Sequence, residues 1–226
     1  MKKYFFSLFV FLIFSSPALT HVSHYKDLKF LKYGLFLNDK LIGSHIFELS
    51  KKGSYFSVKS KGEFKVSKLG VLLMNYKTES EEVYKKGKLM KFNSKTNQND
   101  KEKFANIVSI NENSFFIDGS SYKGEIDNNA IVGSWWNHEI VSNSKQISPI
   151  SGRIMPQKVS FKGKKNVFIN GKTYEALHFH FLSDDDKPLS KKKLNINVWY
   201  DSKTLLWIKS SYDKIGKWEY RLLETK

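Results

Sequence analysis

Cysteine is absent from the 226-residue chain, and proline occurs only four times. Without a thiol there is no disulfide, no thiolate zinc site, no cysteine nucleophile and no cysteine to carry a lipid behind a leader. Arginine is scarce as well: before residue 200 only Arg153 stands among the lysines. Guanidinium is the usual reader of phosphate and carboxylate forks, so a positive charge made of lysine carries little equipment for sequence-specific contacts. Motifs are missing too. There is no phosphate-cradling glycine loop and no Gly-x-Ser-x-Gly elbow. Ser-x-x-Lys matches such as those at Ser142, Ser190 and Ser211 are what chance delivers in a chain rich in both residues. No enzyme class, cofactor or resident metal is signalled.

What is present begins with MKKYFFSLFVFLIFSSPA: two lysines, an apolar run from Phe5 to Phe14, then Ser16-Pro17-Ala18. This is the three-part layout of a secretory signal with small residues before the cut, and residues 1–18 are read as a signal peptide cleaved near Ala18. The run is too short to span a bilayer, which takes about 20 apolar residues, and no comparable run follows. The expected product is a periplasmic chain of roughly 200 residues, long enough to bury a core unaided. Its formal net charge, +16 with the leader included, would suggest nucleic acid in cytosol. Export removes that partner and leaves anionic envelope surfaces, while lysines spread along strands also serve as solvated faces that discourage edge pairing.

Nearly every segment reads as a strand bounded by a glycine or asparagine turn. VYKKGKLMKF, VFINGKTYEALHFHFL and WIKSSYDKIGKWEYRLL each place a Gly-Lys tip between β-prone arms. In 173–182, Tyr174, Ala176, His178 and His180 alternate with Leu177, Phe179 and Phe181. The expectation is an all-β, mostly antiparallel meander over residues 25–226, forming a barrel or half-open barrel with at most one or two short helices. Two halves, 25–126 and 145–226, would be joined by 127–144. The best helix candidate is 127–141, with Asp127 or Asn128 as N-cap.

Three places hold chemistry-bearing side chains. GSWWNHEIV puts Trp135, Trp136, Asn137, His138 and Glu139 in a row. As a helix it would gather Trp135, His138 and Glu139 into a site; as a plug, its tryptophans would close one end of the β domain. His178 and His180 share a strand face and supply two of the three or four ligands zinc needs, with nothing else suitably spaced. Glu79, Glu81 and Glu82 sit on an alternating strand, where solvated charge explains them.

KYGLFLNDKLIGSHIFEL, SWWNHEIV and LNINVWYDSKTLLWIKSSYDKIGKWEYRL together resemble a family of exported Gram-negative proteins of unknown function, over most of residues 25–224. Gly43, His45, Trp136, Asn137, Trp199, Tyr200 and Asp201 match its pattern. The family has no established activity to carry over. A looser likeness to periplasmic lipoprotein-carrier-like β folds implies a binder, by analogy of fold.

Taken together, these features point to a non-enzymatic binding or envelope-maintenance protein that holds a lipid or amphipathic small molecule. Its candidate contacts are His45, Trp135, Trp136, Asn137, Trp199 and Tyr200. The alternative is a hydrolase or metal-dependent enzyme built on His45, His138 and Glu139, or on His178 and His180, which requires those groups to converge. If the leader is processed as expected, N-terminal sequencing of the exported chain begins at Leu19; an intact Met1 terminus would contradict this.

Overall fold

Positive backbone φ at both central residues marks five two-residue turns: Asn38-Asp39, Leu69-Gly70, Lys86-Gly87, Asn99-Asp100 and Asn170-Gly171. That is the type I′ geometry, whose twist matches that of paired strands, so each turn makes consecutive strands antiparallel neighbours. In a computed structural model, which describes residue 25 and residues 27–213 and 216–226, the outcome is one fifteen-stranded sheet. The expected leader, residues 1–18, lies outside the described residues.

Strands β1 (Phe30–Leu37), β2 (Lys40–Lys52), β3 (Tyr55–Lys68), β4 (Val71–Lys85), β5 (Lys88–Gln98), β6 (Lys101–Ser109), β7 (Ser114–Gly119) and β8 (Tyr122–Asp127) form one continuous meander. The return arm contains β9 (Ala130–Val132), β10 (Lys145–Ile147), β11 (Ile154–Ile169), β12 (Lys172–Ser183), β13 (Asn195–Asp201), β14 (Trp207–Asp213) and β15 (Lys217–Thr225). The arms meet where β1 pairs with β15, and Lys226 exchanges backbone hydrogen bonds with Phe30. The sheet's two edges, β8 and β9, are consecutive in the chain, which leaves a nearly closed barrel with one seam. Across the seam the Ser121 N–H donates to Ser151 O at 2.9 Å, and Lys145 pairs with Asp127 at 3.3 Å.

The segment expected to be helical does not become one. Ala130–Val132 instead joins the sheet as β9, parallel to β10, since Gly133 and β-branched neighbours favour extension. The helix shrinks to a 3₁₀ turn over His138–Ser142, and its N-cap is Asn137 rather than Asp127 or Asn128.

Register fixes two inward rows on the first arm. One runs Leu49, Val58, Glu82, Phe92, Ile107 and Ile117, all almost fully buried and apolar except for Glu82. The other runs Ser60, Ser80, Ser94, Ala105 and Gly119, all small. That second row makes room for chain inside the barrel. The Ser94 hydroxyl donates to Pro149 O, and a Cβ on Gly119 would lie 2.7 Å from Ser151 O and 2.9 Å from the Gly152 Cα. The loop around 149–152 therefore rests directly on the wall. Gly119→Val is expected to lower stability by about 1–3 kcal/mol through overpacking, read as a fall in the urea midpoint; an unchanged midpoint would refute this contact.

Candidate functional site

The connection from 133 to 144 leaves the sheet at β9 and folds into the barrel. Gly133 N–H donates to Ile147 O, and Asn137 Oδ1 accepts from Glu139 N at 3.1 Å, capping the 3₁₀ turn. Between these anchors Trp136 is driven into the core, 1% exposed, with edge-on contacts to Tyr25 and Tyr84. Its indole N–H donates to Glu82 Oε1 at 2.9 Å, the Ser134 hydroxyl donates to the same oxygen at 2.6 Å, and the Tyr84 hydroxyl donates to Oε2 at 2.5 Å. Burial pushes the Glu82 carboxyl above its ordinary range, and the three donors pull against that rise without a cation to help.

Glu82 is the residue that sequence reasoning missed. Glu79 and Glu81 point outward and pair with Lys61 and Lys59 at 3.2 and 3.8 Å, as solvated charges do. Side chains alternate along a strand, so Glu81 outside means Glu82 inside.

The expected contact residues separate into four places. Trp136 and Tyr200 belong to the packed core, and the Tyr200 hydroxyl donates to Trp135 O at 3.0 Å. His45 and Trp135 meet at an interior cavity of about 160 Å³ shared with Ser60, Tyr76, Trp207 and Tyr220. There His45 Nε2 lies 3.2 Å from Ser60 Oγ, itself 2.8 Å from Ser80 Oγ, and burial lowers the imidazole to about 4. Trp199 stacks on His178 at 4.4 Å with Lys209 over its ring, on the strand face opposite Phe179 and Phe181. Asn137 borders a separate cleft of about 620 Å³ at one end of the barrel.

That cleft opens where β5 outruns β6, because pairing begins only at Lys91 with Val108. Tyr84, Leu89, Met90 and Ile131 make its apolar wall, and Lys86 and Lys88 stand among its lining residues. Burial pushes the Tyr84 hydroxyl well above its ordinary range, the Glu82 carboxylate adds to the rise, and the buried Asn137 side chain pulls against it.

The histidines expected to converge do not form a cluster. His138 packs edge-on to the Tyr200 ring at 4.8 Å, His178 Nε2 meets Asn197 Oδ1 and His180 Nε2 meets Asn195 Oδ1, both at 2.8 Å. Each is held by its own neighbours, which removes the convergence that the enzymatic alternative needs. Among the described residues no group of three or more His, Asp and Glu side chains is placed to hold a metal ion. No described helix is long and apolar enough to cross a membrane, a statement that leaves strands aside. Two of the residues that matched the family pattern are structural. A Cβ on Gly43 would lie 2.0 Å from Glu63 O, and Asp201 Oδ2 accepts from both the backbone N–H and the hydroxyl of Thr204.

A family model described as a domain of unknown function, DUF6134, matches residues 33–223. No curated protein sequence matches the chain. Among solved structures, the chain is similar to a β-barrel-like protein of a domain of unknown function, DUF1849, from Brucella abortus, with a TM-score of 0.62 and 10% identity. The likeness covers 88% of this chain and 97% of that one, and it speaks to the fold alone.

Glu82 sets a pH signature. Its folded-state pKa is raised, so its contribution to stability is fully present below the unfolded value near 4.5 and is lost as pH rises through the folded value. Glu82→Gln keeps an oxygen for Ser134 and Trp136 and gives Tyr84 a donor. Relative to the wild type, the variant is therefore expected to gain stability from pH 4 to pH 8, measured by thermal melts. An equal difference at both values would show that Glu82 is not the titrating group.

Proposed function

Because the chain belongs to the DUF6134 family, whose function is unknown, its role must be argued from its own geometry; we propose that it is an exported, periplasmic, non-enzymatic binding protein for an amphipathic small molecule. The observation that carries this reading is the end cleft of about 620 Å³, whose apolar residues Leu89, Met90 and Ile131 stand beside Lys86 and Lys88. Small-molecule sites are mostly apolar with a few placed polar groups, and a volume of this order suits them. The ligand's apolar body would lie along Leu89, Met90 and Ile131, with any anionic group near Lys86 or Lys88.

The ligand therefore sits at the end of the barrel rather than at its aromatic centre. The interior cavity, about 160 Å³, has room for a few waters or a small fragment. Of the residues expected from the sequence, Asn137 serves the cleft, while His45 and Trp135 serve the interior space.

One observation favours a second reading, hydrolysis: the His45–Ser60 pair has the separation of a base and a nucleophile. No carboxylate among the described residues contacts His45 to orient it, and its low pKa makes it a weak base. The binding reading is therefore preferred.

Met90, 38% exposed at the cleft, is the site for a test. Met90→Trp should fill the cleft from its solvent side and weaken uptake of a fluorescent fatty acid at least tenfold, with an unchanged circular dichroism spectrum. A native mass spectrum of the purified wild type should show a bound amphipath that the variant lacks. Wild-type protein that carries no ligand and takes up no probe would overturn the assignment.

A further inference from the structure

At the opposite end of the barrel, one hairpin stands free of its neighbours. Pairing of β2 with β3 reaches no further than Gly43 with Phe64, and pairing of β4 with β5 no further than Tyr76 with Gln98. Residues 66–74 therefore have strand partners only within the hairpin, as a two-stranded finger whose base is tied to the next turn by the Asn99 side chain donating to Leu73 O at 3.3 Å. Strand directions alternate, so its Leu69-Gly70 turn lies at the end of the barrel away from the Lys86-Gly87 turn that borders the cleft.

The finger's composition is the reverse of what a solvated tip needs. Leu69 is 95% exposed, and the consecutive residues Val71, Leu72 and Leu73 are 61, 54 and 51% exposed. Consecutive strand residues face opposite sides, so both faces of the tip are apolar. Leu69 also holds a φ of +50°, where the matching positions of the other four turns carry Asn or Lys. A branched leucine in left-handed backbone is strained, and at 95% exposure its side chain gains almost no burial to offset that strain. From Phe64 to Thr78 the sequence contains Lys65, Lys68 and Lys77 and no acidic residue.

We propose that this β3–β4 finger docks the protein on an anionic lipid bilayer, with Leu69, Val71, Leu72 and Leu73 entering the interface and the flanking lysines meeting anionic headgroups. Apolar side chains on both faces of a free ribbon suit a medium that surrounds the tip better than a partner protein that covers one side. The lysines and the chain's strongly positive net charge, +16 with the leader included, supply the complementarity to an anionic surface. The proposal is independent of the cleft, because the two lie at opposite ends.

The test uses protein purified after expression of the full-length sequence, so that any N-terminal processing has already occurred. It should co-sediment with vesicles of phosphatidylcholine and phosphatidylglycerol, and at least tenfold less with phosphatidylcholine alone. Leu69→Asp with Leu72→Asp should reduce the first binding at least tenfold while leaving circular dichroism and fatty-acid uptake unchanged; Met90→Trp should dock normally. Because the chain has no cysteine, Leu72→Cys labelled with an environment-sensitive dye reports the tip alone, and its emission should shift to the blue on addition of anionic vesicles. Docking that survives the double variant, or a dye that stays in water, would overturn the proposal. So would a tip that pairs two copies of the chain and ignores vesicles, seen as a doubled mass that the Asp variant abolishes.

Discussion

The Glu82 carboxyl ties the segment that crosses the barrel to the wall around it, and much of the remaining arrangement depends on that tie. It accepts from Trp136, Ser134 and Tyr84 inside an otherwise apolar row. A one-residue slip of β4 would carry the carboxyl to solvent and strand a buried indole N–H and a hydroxyl, so the three bonds also hold register. Glu219 provides the contrast. It is just as inaccessible at 2% exposure, yet Lys209, Lys217 and Arg221 surround it. Burial alone would raise its pKa, but the cations prevail and hold it at about 2. The two carboxyls shift in opposite directions because Glu82 lies deep among neutral donors, whereas Glu219 lies less deep and among cations.

The second constraint is volume. Fifteen strands enclose more space than one layer of inward side chains fills, and this chain fills the remainder with its own backbone. The connection 133–144 and the loop near 149–152 occupy the interior, the first seated on Glu82 and the second on the row from Ser60 to Gly119. Trp135 and Trp136, adjacent in sequence, consequently have different surroundings. Trp136 is packed among Tyr25, Phe56 and Tyr84, whereas Trp135 borders the small cavity and packs edge-on to Phe181.

Much of the architecture was legible in the residues. Asn and Gly at hairpin tips, separated by alternating arms, specify antiparallel neighbours, and the I′ turns at Lys86-Gly87 and Asn170-Gly171 realise two of the expected tips. The segment around Trp136 was legible as a plug, but its conformation was not. Its partner is Glu82, more than fifty residues away, and local propensity carries no record of such a contact. Glu82 itself left a trace, since adjacent glutamates on a strand cannot both face water in a one-layer wall. The two imidazoles on one strand face, which the sequence left short of further ligands, each have an asparagine partner on β13, a pairing that no local pattern announces. The free finger was hidden for another reason: KLGVLLMNY reads as any hairpin, and only the lengths of β2 and β5 reveal that its apolar residues have no strand beside them.

Both ends of the barrel follow from the same geometric fact, unequal strand lengths. Where β5 outruns β6, residues 88–90 lose a lateral partner, and the chain near 137–143 folds in behind them to make a walled cleft. Where β3 and β4 outrun β2 and β5 together, nothing folds in, and the ribbon stands exposed on both faces. A soluble hairpin in that position would carry polar residues and an Asn-Gly turn, because neither its faces nor its left-handed backbone gives apolar branched side chains any return within the fold. The chain carries the apolar set there, with lysines beside it. The two ends thus differ in kind: one is concave and lined by apolar residues with lysines among them, the other convex and apolar at its tip. A concave end can enclose a small molecule, whereas a convex apolar tip reaches a favourable state only by entering another phase or another surface.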